Sequence, residues 1–185
     1  MKKKPNFLKQ YLKEKKMVGA VSPSSRFLAK KMLEGIDFKT CSAIVELGPG
    51  TGVFTRRLLE NLKADAKLFV FELNDDFYNN LKNELKDPRV ILIHDSAENL
   101  AKHLNAHGVE YADVVISSLP LANFSDELTK SILSTSYKNL KKKGKYIQFQ
   151  YSLQAKNDIT HYFKEMHIKF TALNLPPAFV YTCTK

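Results

Sequence analysis

A chain of 185 residues with 44% hydrophobic and 26% charged content suits one soluble domain with a real core. No apolar run reaches the roughly 18 residues of a membrane span, no signal core follows Met1-Lys2-Lys3-Lys4, and Cys41 and Cys183 have neither metal nor disulfide-framework spacing. The formal charge of +10 is an N-terminal property, because residues 1–31 hold ten of the 29 basic side chains and only one of the 19 acids, Glu14.

In chain order, residues 1–40 read as a basic helical region. Phe7, Leu8, Tyr11 and Leu12 share one helical face. Lys9, Lys13 and Lys16 flank it, which is the layout of a helix lying in a membrane interface. Concentrated positive charge attracts nucleic acid or an anionic lipid surface. Residues 41–185 read as an alternating β/α body. Ala43 to Leu47 is a buried strand, and the apolar spacing of Phe54, Leu58, Leu59 and Leu62 predicts a helix. Lys67 to Leu73 is a second strand, followed by a helix over Asp75 to Leu85 with Asn74 as its N-cap. Val90 to Ile93 and Ala112 to Ser117 are the third and fourth strands. A helix opens at Ser125 and runs to about Leu140, with Lys143-Gly144 as its stop. Tyr146 to Tyr151 is a fifth strand, Gln154 to Phe163 a helix, and His167 to Leu175 pairs with Ala178 to Thr184. Alternating strands and helices predict a mostly parallel sheet with helices on both faces, and a ligand at the carboxyl ends of the strands.

The strongest local signal is Glu46-Leu47-Gly48-Pro49-Gly50-Thr51-Gly52, between the first strand and the first helix of the body. Gly48, Gly50 and Gly52 let the backbone turn sharply and approach a ligand, and the helix behind them presents free N–H groups. The spacing G-x-G-x-G differs from the dinucleotide pattern G-x-G-x-x-G. Glu72 ends the second strand, where a carboxylate can accept from both ribose hydroxyls. Asp95 ends the third, followed by Ser96-Ala97, and can accept from an adenine amine. Three acids at successive strand ends beside a glycine loop point to a nucleoside-containing cofactor.

VELGPGTG, the acid of FELN and the acid of HDSA resemble the three cofactor motifs of class I methyltransferases. The resemblance implies S-adenosylmethionine and a Rossmann-like, seven-stranded α/β sheet of order 3-2-1-4-5-7-6 with its last strand antiparallel. It implies the methionine portion at Gly48, Gly50 and Gly52 and the ribose at Glu72. Asp95, Ser96 and Ala97 then lie near the adenine, with Glu46 and Ser117 on the cofactor side.

Three further segments, GAVSPSS (19–25), SSLPLANF (117–124) and NLPPAFVY (174–181), resemble bacterial phospholipid N-methyltransferases, a likeness that runs from about Phe7 to Tyr181. This implies an enzyme that methylates the amine of phosphatidylethanolamine, in the cytoplasm and peripherally at the inner face of the membrane. It brings Ser22 and Ser24 to the cofactor and Leu119 and Pro120 to the substrate. A monomer is expected, with no metal.

Ribosomal RNA adenine dimethyltransferases are similar at lower resolution. They share a basic N-terminus, a GxGxG loop and a Leu-Pro after the fourth strand. Their pattern there is Asn-Leu-Pro-aromatic, whose asparagine oxygen and a backbone carbonyl accept from the adenine amine while the aromatic residue stacks on the base. Ser118-Leu119-Pro120-Leu121 departs from it at both ends. An RNA adenine N6-methyltransferase is therefore the enzyme alternative, and a cofactor- or RNA-binding module without catalysis the non-enzyme one.

For a displacement at a sulfonium methyl, the protein mainly positions the reactants. Tyr151 is the leading substrate-side candidate, through its hydroxyl and through cation–π attraction to a growing ammonium. Asn123 and Tyr181 offer further polar groups. No histidine of the five has a partner legible in the sequence, and all five are read as non-catalytic.

Overall fold

A computed structural model describes residues 23–172, 174 and 176–185. The amphipathic pattern at Phe7 to Leu12, its lysines and Ser22 lie outside the described residues, and of Ser24 only the backbone is described, in the first turn of α1.

The elements are α1 (Pro23–Leu33), β1 (Ala43–Leu47), α2 (Val53–Asn61), β2 (Lys67–Phe71), α3 (Asp75–Glu84), β3 (Val90–Ile93), α4 (Leu100–Ala106), β4 (Ala112–Ser117), α5 (Asp126–Lys138), β5 (Leu140–Gln150), α6 (Lys156–Tyr162), β6 (Glu165–Thr171) and β7 (Ala178–Thr184). Short 3₁₀ turns at Ala97–Asn99 and Leu121–Asn123 follow β3 and β4. The strands form one sheet of order β3-β2-β1-β4-β5-β7-β6. Only β7 runs against its neighbours. This is the class I methyltransferase fold that the motifs imply.

Strand alternation divides the core in two. Val45, Leu47, Phe69 and Phe71 face one layer with Leu100 and Leu104 of α4, Ile132 and Leu133 of α5, and Ile159 of α6. Ile44, Leu68, Val70, Val114 and Ile116 face the other, with Phe54 and Leu58 of α2 and Leu28, Ala29 and Met32 of α1. Although α1 lies within residues 1–40, it shares the core of the α/β body. Central β1 is buried along its whole length, as a parallel strand covered on both faces must be.

Local signals set the helix starts. Asn74 accepts from the Phe77 N–H at 3.0 Å and caps α3, and Ser125 accepts from the Leu128 N–H at 3.3 Å and caps α5. Three expectations need correction. Helix α5 stops at Lys138, and Leu140 already pairs with Ala112, so Lys143-Gly144 ends no helix but forms an irregularity inside β5. Lys143 takes a left-handed φ of 65° there, and the register shifts from Leu140↔Ala112 to Lys145↔Val114. Between β3 and β4 the chain adds α4, whose apolar residues Leu100 and Leu104 carry only a short helical period. Strand β6 begins at Glu165 and ends at Thr171, earlier than the apolar pattern suggests.

Candidate active site

The site is built where β1, β2, β3 and β4 end together. The Gly48 N–H donates to the Phe71 carbonyl at 2.9 Å, and the Gly52 N–H to that of Pro49 at 3.0 Å, closing the loop ahead of α2. Gly48 has a φ of 71°, and a Cβ built there would meet Leu119 Cδ2 at 2.8 Å. A side chain is excluded on both counts. The glycine thus lets the loop after β1 lie against the loop after β4.

Glu72, only 4% exposed, bridges this loop to the next one. Its Oε2 accepts from the Gly50 N–H at 3.0 Å and its Oε1 from the Asn74 N–H at 2.9 Å. Asp95 is also held by three donors. His103 Nε2 lies 2.8 Å from Oδ2, while the Asn99 Nδ2 and the Ser96 N–H approach Oδ1 at 2.8 and 2.7 Å. These bonds, the one to His103 foremost, lower the carboxyl pKa to about 2. Glycine loop, Glu72 and Asp95 border a cleft of about 640 Å³ whose other walls are largely apolar, among them Leu73, Leu119, Phe124, Leu128 and Ile132.

A second recess of about 430 Å³ adjoins the cleft and shares Ser118, Leu119 and Pro120 with it. Asn123, Phe149, Gln150, Tyr151 and Ser152 complete it. The Tyr151 ring, 48% exposed, meets Phe149 edge-on at 5.5 Å. Burial pushes its phenol pKa up against an opposing hydrogen bond with Asn174, so the hydroxyl stays protonated in the neutral range. Beneath the recess, Tyr146 donates to Gln148 Oε1 at 2.8 Å, and the Gln148 and Gln150 amides donate to the Leu119 carbonyl at 2.9 and 2.8 Å.

A family model described as ribosomal RNA adenine dimethylase matches residues 2–157. The chain belongs to the ribosomal RNA adenine dimethylase family. It is an S-adenosylmethionine-dependent N-methyltransferase. It is 27% identical over 179 residues to an ornithine lipid N-methyltransferase of Singulisphaera acidiphila, covering 96% of this chain and 93% of that relative. It is 26% identical over 105 residues to the ribosomal RNA small subunit methyltransferase H of Flavobacterium johnsoniae. That match spans 57% of this chain and only 34% of the relative. Among solved structures, the fold is similar to the N-methyltransferase NodS of Bradyrhizobium japonicum WM9 in complex with S-adenosylhomocysteine. The TM-score is 0.74 at 12% identity, over 95% of this chain and 97% of that one.

In this methyltransferase the cleft gathers Gly48, Gly50, Glu72, Asp95, Ser96, Ala97, Leu119 and Pro120 from the residues singled out in the sequence. The recess gathers Asn123 and Tyr151. Gly52 instead caps α2 behind the loop, where a Cβ would meet Leu81 at 2.7 Å. Glu46 is wholly buried within β1, and Ser117 is buried with its Oγ accepting from the Leu119 N–H at 3.3 Å. Tyr181 does not line the recess. Its ring is in the core because β7 is an interior strand, and its hydroxyl donates to the Ser152 carbonyl at 3.2 Å.

The methyltransferase also holds residues that the sequence reading passed over. His103 has a partner, Asp95, and His94 stacks on Tyr78 at 4.4 Å between ring centroids. Phe124, Leu128 and Ile132 line the cleft. The first of these lay in the SSLPLANF segment, and the other two were visible only as the apolar face of α5.

Proposed function

We propose that this chain methylates the primary amine of a membrane aminolipid, either the phosphatidylethanolamine headgroup or an ornithine lipid. The observation that carries this reading is the end-to-end likeness to an ornithine lipid N-methyltransferase. Leu121 supports it. At the position where the RNA pattern calls for an aromatic residue, this side chain is 2% exposed and packed in the core, so it offers no face to a base.

The residues of the cleft fit S-adenosylmethionine, since the glycine loop lines it at Gly48 and Gly50 and the buried Glu72 carboxylate holds the loop beside it. Gly48 and Gly50, with Gly52, Glu46 and Ser117 behind them, would hold the methionine end. Glu72 takes the ribose, and Asp95, Ser96 and Ala97 take the adenine. The cofactor supplies a methyl group on a positively charged sulfur, already activated for displacement by an amine. Leu119, Pro120 and Asn123 orient that amine, and Tyr151 faces the ammonium as it forms. The basic residues ahead of α1 draw the chain to an anionic membrane surface, with Ser22 and Ser24 on the cofactor side.

The match of residues 2–157 to the RNA dimethylase model favours a second reading, methylation of an RNA adenine. The deciding experiment offers labelled S-adenosylmethionine to vesicles containing phosphatidylethanolamine, to vesicles containing ornithine lipid, and to under-methylated small-subunit ribosomal RNA, at one salt concentration. Label in either lipid supports the proposal and names the headgroup. Label in RNA alone overturns it.

A further inference from the structure

We propose that the corner of the sheet where β5 and β6 end seats in an anionic bilayer, with Leu153 and Phe170 entering its interfacial layer beside the recess. The proposal rests on the aminolipid reading and adds the surface through which the lipid reaches the site.

Pairing of the last three strands sets Phe170 next to the site. Gln150, the last residue of β5, lines the recess and pairs with Phe179 of β7, which pairs in turn with Phe170 of β6. Paired residues point to the same face, so these three form one row across the sheet. With strands about 4.8 Å apart, Phe170 stands roughly 10 Å from Gln150. Its ring centroid lies 5.2 Å from that of Phe179, yet Phe170 is 57% exposed on the edge strand. Leu153, 46% exposed, stands in the turn after β5, between the recess residues Ser152 and Gln154. The Tyr181 hydroxyl fastens this turn to β7 through the Ser152 carbonyl.

Neither Leu153 nor Phe170 lines the cleft or the recess, so their exposure serves neither the cofactor nor the amine. Exposed apolar side chains are nevertheless gathered at this end of the molecule. Of the six large ones among the described residues, Leu73, Tyr151, Leu153 and Phe170 stand at the carboxyl ends of the parallel strands. Tyr111, ahead of β4, is at the opposite end, and Lys185 Nζ covers its ring at 5.7 Å. Apolar surface concentrated beside a site marks an interaction surface.

Charge selects what this corner meets. Asp75, Asp76, Asp95, Glu98, Asp126 and Glu127 all follow β2, β3 or β4, so that half of the site's end carries negative charge. Residues 128–157 and 166–185 contain no acid at all. They supply β5, β7 and all of β6 except Glu165 at its far end. Lys156 is exposed near the turn, and Lys169, in contact with Glu34 at 3.2 Å, precedes Phe170. A negatively charged surface is repelled at the β2–β4 half and admitted at the β5-β7-β6 corner. An aromatic ring and a leucine beside lysines, with no carboxylate among them, are suited to the interfacial layer of a bilayer. So seated, the recess opens towards the headgroups, and the aminolipid enters it without leaving the membrane.

The chain has no tryptophan, so a single introduced one reports its own surroundings. Full-length Phe170→Trp is mixed with vesicles of phosphatidylglycerol carrying phosphatidylethanolamine or ornithine lipid, and Tyr111→Trp serves as the control at the far end. Phe170→Trp should give a blue-shifted emission that lipids brominated along their acyl chains quench, and Tyr111→Trp should give neither change. Leu153→Ser combined with Phe170→Ser should weaken vesicle binding about tenfold or more. Its kcat/KM for a dispersed, short-chain form of the accepted aminolipid should stay at the wild-type value. Vesicle-bound Phe170→Trp without a shift, or equal quenching at both positions, overturns the seating while the aminolipid reading stands. So do equal losses on vesicles and on dispersed lipid, which would place Leu153 and Phe170 in the site itself. An emission already blue-shifted in solution and unchanged by vesicles, with a dimer in sedimentation, overturns the seating in favour of contact between copies. Label in RNA and none in lipid from the wild type overturns both readings.

Discussion

His103 Nε2 stands 2.8 Å from Asp95 Oδ2, so a residue of α4 fixes the carboxylate at the end of β3. The Asp95 pKa falls from its ordinary 3.8 to about 2, with the His103 bond as the largest cause and those from Asn99 and Ser96 following. A carboxyl depressed in the folded state stabilises it above the unfolded value, and that stabilisation is lost as pH falls from about 4 to about 2. His103→Ala should therefore flatten the acid limb of the Tm profile in that window relative to wild type. Asp87, lowered to about 2 by Arg89, acts in the same window in both proteins and cancels in the comparison. Identical acid limbs would show that His103 does not hold the carboxylate.

Replacing Glu72 removes the acceptor for both the Gly50 and the Asn74 N–H groups. Hydrogen bonds to a charged group contribute roughly 1.5–3 kcal/mol each. Glu72→Ala should weaken S-adenosylhomocysteine binding at least tenfold in calorimetry and lower the denaturation midpoint. Unchanged affinity would remove Glu72 from the cofactor site.

Gly48→Ala combines a positive φ with a Cβ 2.8 Å from Leu119 Cδ2. Strain of this kind costs about 1–3 kcal/mol. The variant should unfold at lower denaturant and bind cofactor more weakly, because Leu119 and the glycine loop cannot keep their contact. Full stability in urea titration would mean that the two loops separate without cost.

Tyr151 separates two contributions. Tyr151→Phe keeps the ring proposed to face the ammonium and should retain most of kcat. Tyr151→Ala removes ring and hydroxyl, and the lost cation–π attraction of about 0.5–2 kcal/mol corresponds to roughly a two- to thirtyfold fall in kcat. If both variants lose activity equally, the hydroxyl rather than the ring is at work. If neither does, Tyr151 only packs beside Phe149.

Local chemistry made much of this protein legible in its sequence. The strands β1, β3 and β4, the Asn74 cap, the glycine loop and the acids Glu72 and Asp95 are all defined by neighbours within a few residues. The strand order followed from the resemblance of those motifs to class I methyltransferases, and the sheet has that order. The errors came where local signals compete. Lys143-Gly144 carries the composition of a helix stop, yet pairing of Leu140 with Ala112 had already drawn the chain into the sheet.

What the tertiary structure alone decided are contacts that the local pattern of a strand or helix does not fix. His103 meets Asp95 only because α4 folds back on β3, and Tyr181 is removed from the recess only because β7 is inserted between β5 and β6. Gln148 and Gln150 reach Leu119 across 29 and 31 residues, since parallel pairing of β4 with β5 sets their ends side by side. Periodicity reports which face of an element is apolar. Which buried polar group finds a partner, and that Ser118 finds none among the described residues, depends on where the sheet delivers the other elements.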